Sequence, residues 1–91
     1  MTARTAWLAR EIGDRLRRER MISGQTQREV ADATDVKPAA LSAIERGKRL
    51  PSVLTLWDLA GSLRVSVADL LPAHDPDDVS DGPTDEEGAT S

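Results

Sequence analysis

The chain has 91 residues, a formal net charge of −4, no cysteine, a single histidine and only 2% aromatic residues. That composition excludes disulfides and thiolate metal sites, leaves His74 without a histidine partner for a metal centre or catalytic dyad, and requires a core of Leu, Ile, Val and Ala. The length suits one small domain, with or without a tail.

No apolar run approaches the roughly 18–20 residues of a membrane span. The opening "MTARTAWLAR" has basic residues but no apolar stretch of signal-peptide type. A cytoplasmic protein without membrane contact is expected. The net charge hides two opposed segments. Residues 73–91 hold seven acids and no Lys or Arg. Setting those acids aside leaves 12 basic and 9 acidic residues in 1–71. A mildly basic body (domain 1–72) followed by an acidic tail is the asymmetry expected of a chain whose body meets a polyanion.

The first predicted helix runs from about Ala3 to Ile22, with Leu8, Ile12 and Leu16 recurring every four residues and Gly24 at its end. "TQRE", Thr26 to Glu29, reads as a capping box that opens a second, short helix reaching about Ala33. Asp35 and Val36 form a tight turn. Pro38 suits the first position of a third helix, which ends near Arg46 with Gly47 just beyond. Ser52 caps a fourth helix to about Leu63, and Ser66 caps a fifth over Val67 to Leu71, stopped by Pro72. Beyond it Pro, Gly, Asp, Glu, Ser and Thr dominate, a composition that cannot offset ordering entropy. Residues 73–91 are therefore expected to be disordered. No strand pattern, repeat or phosphate loop appears, so the expected class is all-α with five helices.

Residues 27–46 form the informative unit: short helix, tight turn, second helix. Ala31 is small where the two helices would touch, and Val30, Val36, Leu41 and Ile44 are apolar on their facing sides. This is helix-turn-helix geometry, which places the second helix in the DNA major groove. Lys37, Arg46, Lys48 and Arg49 bracket that helix, where they could hold the phosphate backbone.

The pieces "IGDRLRRER", "TQREVADATDV", "LSAIERGKRLPS", "TLWDLA" and "VSVADLL", in this order, resemble the lambda-repressor-like, Cro/C1-type (XRE) helix-turn-helix domains over about Ile12 to Leu71. The resemblance implies a five-helix domain and a homodimer on a two-fold symmetric operator in double-stranded DNA. It also implies a phosphate contact from Gln27, with Arg28 beside it, and an Arg20–Glu45 clamp between the first and third helices. The family's base-reading positions fall on Pro38, Ala39, Ser42 and Ala43, with Lys37 at the edge. Of these only Lys37 and Ser42 carry polar side-chain groups, so bidentate Arg–guanine or Gln–adenine pairs are impossible at 38, 39 and 43. Thymine-methyl contacts or DNA shape must supply specificity if this helix reads DNA.

The chain departs from the family pattern at Asp35 and Arg64, where glycine is common, and at Thr34, where an apolar residue is common. Leu54, Trp57 and Gly61 share one face of the fourth helix. They serve either as a dimer seam anchored by Trp57 or as peripheral core packing, while Trp7 could cover the core from the first helix. The leading expectation is a sequence-specific, dimeric transcriptional repressor that needs no cofactor or metal. The residues leave open an antitoxin of a toxin–antitoxin pair and a protein-interaction adaptor that kept the fold without reading DNA. The acidic tail is either a solubilising terminus, an intramolecular competitor of DNA, or the site of a protein partner. Enzyme function is not expected: no nucleophile–base pair, metal cluster or cofactor motif is present.

Overall fold

The computed structural model describes residues 2–73 of the chain. These form four α-helices, α1 (Ala3–Ser23), α2 (Gln27–Asp32), α3 (Pro38–Glu45) and α4 (Val53–Leu63), followed by a 3₁₀ turn at Val67–Leu70. There is no strand among the described residues. The expected acidic, disordered tail lies outside them, apart from Ala73.

Each helix but α3 starts on a side-chain cap. Thr2 accepts from the Thr5 N–H, Thr26 and Glu29 complete a reciprocal capping box, and Ser52 accepts from the Thr55 N–H. These bonds satisfy donors that have no intrahelical partner. α3 has no side-chain cap and begins instead with Pro38, which lacks the N–H that would need one. It ends on Gly47, at φ 72°, whose left-handed backbone lets the Lys48 N–H reach back to the Ala43 carbonyl at 2.9 Å.

The fifth element is shorter and tighter than the α-helix expected over Val67–Leu71. A Ser66–Asp69 capping box opens it, but Leu71 is extended (φ −111°, ψ 141°) because it precedes Pro72. Only one turn fits, and it closes with i→i+3 bonds such as Leu71 N–H to the Ala68 carbonyl at 3.2 Å.

The core is aliphatic, with Leu16, Val30, Leu41, Ile44, Leu59 and Leu70 almost wholly buried. On α1 the buried stripe is Ala9, Ile12, Gly13 and Leu16, the spacing of one helical face. α1 lies against α3, α2 packs on α3 and α4, and the 3₁₀ turn ties α4 to α1. Gly13 sets the α1–α3 distance: a Cβ there would meet the Ile44 carbonyl oxygen and stand 2.9 Å from that of Glu45.

Between α2 and α3 the turn is built on Thr34. Its hydroxyl donates to the Val30 carbonyl at 3.0 Å and accepts from the Val36 N–H at 3.1 Å. Asp35 therefore needs no left-handed backbone. Among the described residues the one non-glycine at positive φ is Arg64, at 59°.

Candidate nucleic-acid interface

Apart from Ser42 and the buried Glu45, both faces of α3 are apolar or small. Leu41 and Ile44 turn inward and are buried, while Pro38 and Ala39 are exposed and Ser42 and Ala43 half-buried on the outer side. Lys37 is exposed just ahead of α3, and Arg46, Lys48 and Arg49 are exposed just after it. The Arg46 Nε donates to the Ser42 carbonyl at 3.2 Å, which lays its guanidinium along the helix.

Some of the cations are matched by a nearby acid. On α1, Arg15 pairs with Glu11 and Arg18 with Asp14, each at 2.6 Å. On α2, exposed Arg28 faces Asp32 at 3.6 Å. Such i,i+4 pairs offset charge locally and add little stability. Lys37, Arg46, Lys48 and Arg49 make no ion pair with an acid among the described residues, as is also true of Arg10, Arg17 and Arg64, but these four are grouped at the two ends of α3. Their charge is uncompensated where an incoming phosphate would feel it.

Behind this surface stands a polar clamp. Arg20 donates from Nε to Glu45 Oε2 at 2.7 Å and from Nη2 to Glu45 Oε1 at 3.0 Å, a two-pronged contact between α1 and α3. Its Nη1 donates to the Gln25 carbonyl at 2.9 Å, and the Gln27 Nε2 donates to Glu45 Oε1 at 3.0 Å. The Glu45 side chain is 2% exposed and that of Arg20 15%. The hydrogen bond to Glu45 holds the Arg20 guanidinium above its ordinary pKa, against a smaller opposing effect of burial, so Arg20 stays charged throughout the physiological range. The clamp joins α1, the start of α2 and the end of α3 through one carboxylate. Gln27 is thus held in place, with its second amide hydrogen outside that bond.

The helix pair, its turn and its clamp match the helix-turn-helix family model over residues 16–70. The chain belongs to the Cro/C1-type helix-turn-helix family of DNA-binding transcriptional regulators. It is 44% identical over 61 residues to an HTH-type transcriptional regulator of Sinorhizobium fredii, y4dJ, covering 67% of this chain and 75% of the relative. The crystal structure of the clp gene regulator ClgR from Corynebacterium glutamicum superimposes with a TM-score of 0.65 at 42% identity, covering 69% of this chain and 68% of that one. The restriction-modification controller protein C.AhdI from Aeromonas hydrophila gives a TM-score of 0.67 at 27% identity, over 69% of this chain and 96% of that one.

Two supports of the helix pair go unmarked in the sequence. Thr34 reads only as a polar residue in an apolar place, although a threonine directly ahead of a tight turn can bridge it by its hydroxyl. Gly13 goes unmarked, although a glycine inside the apolar stripe of α1 signals a close helix approach. Leu54 and Trp57 are 69% and 68% exposed, and Gly61 is exposed beside them. Trp7 is half-buried.

Proposed function

We propose that this helix-turn-helix regulator acts as a homodimeric repressor. It lays α3 of each subunit in the major groove of a two-fold symmetric operator and blocks a promoter by occupying it in the cytoplasm. The observation that carries this reading is the exposed outer face of α3 flanked by Lys37, Arg46, Lys48 and Arg49, none of them offset by an acid among the described residues. In the complex these cations and the Gln27 amide meet phosphates and fix the register of α3. Pro38, Ala39 and Ala43 then touch thymine methyls, and DNA deformability supplies the remaining specificity. The small face also lets the α3 backbone come close to the bases.

The experiment is selection of binding sites from random duplex DNA by the full chain at stated salt, since salt sets the affinity. The expected product is an inverted repeat with half-sites about 10–10.5 bp apart and thymine beneath α3. Strong guanine preferences beneath α3 would overturn the thymine-methyl reading. A second reading, a protein-interaction adaptor, is favoured by the absence of hydrogen-bonding side chains at Pro38, Ala39 and Ala43. Failure to enrich any sequence at low salt would select it.

A further inference from the structure

Helix α4 is apolar on almost every side, yet the chain buries only one of them. Leu56, Leu59, Ala60 and Leu63 pack into the core. Val53, Leu54, Trp57 and Gly61 fall within a stripe roughly 100° wide on the outer side, by the helical repeat. Val53 is 80% exposed, and Leu54 and Trp57 nearly as much. The polar residues Thr55, Asp58 and Ser62 are confined to the narrow strip that remains. A helix apolar all round is the pattern of a buried helix, so its outer stripe is made for a partner.

Gly61 sharpens this. A glycine inside a helix is less stable than alanine, and no atom lies within 4 Å of where its Cβ would stand. Nothing inside the described fold requires it. Its effect is external: together with Ala60, Val65 and Val67 it opens an apolar slot of about 290 Å³ beside Trp57. The stripe therefore carries both a projecting ring and a recess, the two halves of a self-complementary surface. A two-fold contact requires this property, because each copy must present what the other receives.

We propose that α4 pairs with α4 of a second copy, each Trp57 ring seated in the slot beside Gly61 of the other. This rests on the homodimer reading above and gives it a geometry. Two tryptophans bury roughly 150–250 Å² each, against about 1,200–2,000 Å² for a stable interface. Val53 and Leu54 must therefore join the contact, and they lie along the same stripe. No residue of the seam lies on α3 itself, although Leu54 borders the groove that Lys37 and Arg49 also line.

The test uses the full-length chain carrying Trp7→Phe, so that all tryptophan fluorescence reports Trp57. Its emission should shift to the blue with rising concentration, in step with the monomer-to-dimer mass change in sedimentation equilibrium. Gly61→Leu directs a side chain toward the slot, and its Cβ has no atom of the described fold within 4 Å. It should weaken the dimer at least tenfold while leaving circular dichroism unchanged. A dimer in which Trp57 emission stays that of an exposed indole would overturn this seam and leave the homodimer reading standing. A Gly61→Leu chain that dimerises as tightly as its parent would overturn the slot. A chain that is monomeric at every concentration, whether or not it selects a DNA sequence, would overturn the pairing and point to a different protein on this face.

Discussion

Arg64 holds a left-handed backbone at φ 59° and ψ 41°, just past the end of α4. That conformation brings Cβ too near the following carbonyl and costs a non-glycine residue about 1–2 kcal/mol. Arg64→Gly removes the strain but loosens the unfolded chain. The net gain should be about 0.5–1 kcal/mol, seen as a rise of several degrees in the thermal midpoint. Gly13 is the opposite case. Gly13→Ala drives a methyl into the carbonyls of Ile44 and Glu45. Backbone atoms cannot swing aside, so α1 and α3 must separate, and the loss should reach about 1–3 kcal/mol in urea unfolding. At Glu45, substitution by alanine strands a largely buried guanidinium and frees the Gln27 amide. The expected loss is about 3–5 kcal/mol, a large part of the stability of a domain this small. A loss below about 1 kcal/mol would show that water already screens the pair. The strain at Arg64 is legible in the sequence because an arginine stands where glycine is common in the family the chain resembles. The role of Gly13 is not, since sequence periodicity shows that a helix has a buried face but not how near the next backbone comes.

At the scale of elements, the helices are legible wherever a local chemical signal bounds them. Thr26–Glu29, Pro38, Gly47 and Ser52 each act through neighbours a few residues away, so the sequence contains both partners. The 3₁₀ turn departs from expectation because the restriction on Leu71 by Pro72 overrides an apolar helical pattern. The α2–α3 turn departs from it because the hydroxyl of Thr34 makes the bonds, leaving Asp35 an ordinary backbone. The charges around α3 are legible as composition, and the i,i+4 matches of Arg15 and Arg18 on α1 as spacing, but only the fold shows that Lys48 and Arg49 pair with no acid among the described residues. This leads to a prediction for the binding element. Lys48→Ala with Arg49→Ala should leave the fold intact, as both side chains are exposed. It should weaken binding to all DNA sequences alike and flatten the dependence of log affinity on log salt by about 0.9 for each phosphate no longer neutralised. An unchanged slope would remove these two residues from the interface.

On the scale of the whole molecule, the charge that matters for DNA is not the net charge. The buried core residues lie between Ala9 and Leu70, and the chain through residue 71 carries three more basic than acidic residues, 12 against 9. The seven acids of residues 73–91 reverse that sign. A polyanion approaching α3 therefore meets the field of Lys37, Arg46, Lys48 and Arg49 together with a covalently attached excess of negative charge. A repulsion through solvent would reach over a screening length of about 30 Å at 0.01 M salt but only about 3 Å at 1 M. Removal of residues 74–91 takes away none of those core residues and should raise DNA affinity several-fold at low ionic strength. The two forms should converge as salt rises and the remote acids are screened. The measurement is a pair of DNA titrations, full chain and truncated chain, across a salt series. Equal affinity at the lowest salt would mean that the acids stay farther from α3 than a screening length and act only on solubility. A difference that persists at high salt would mean direct occupation of the α3 face, because a pair in contact is screened far less than one separated by water.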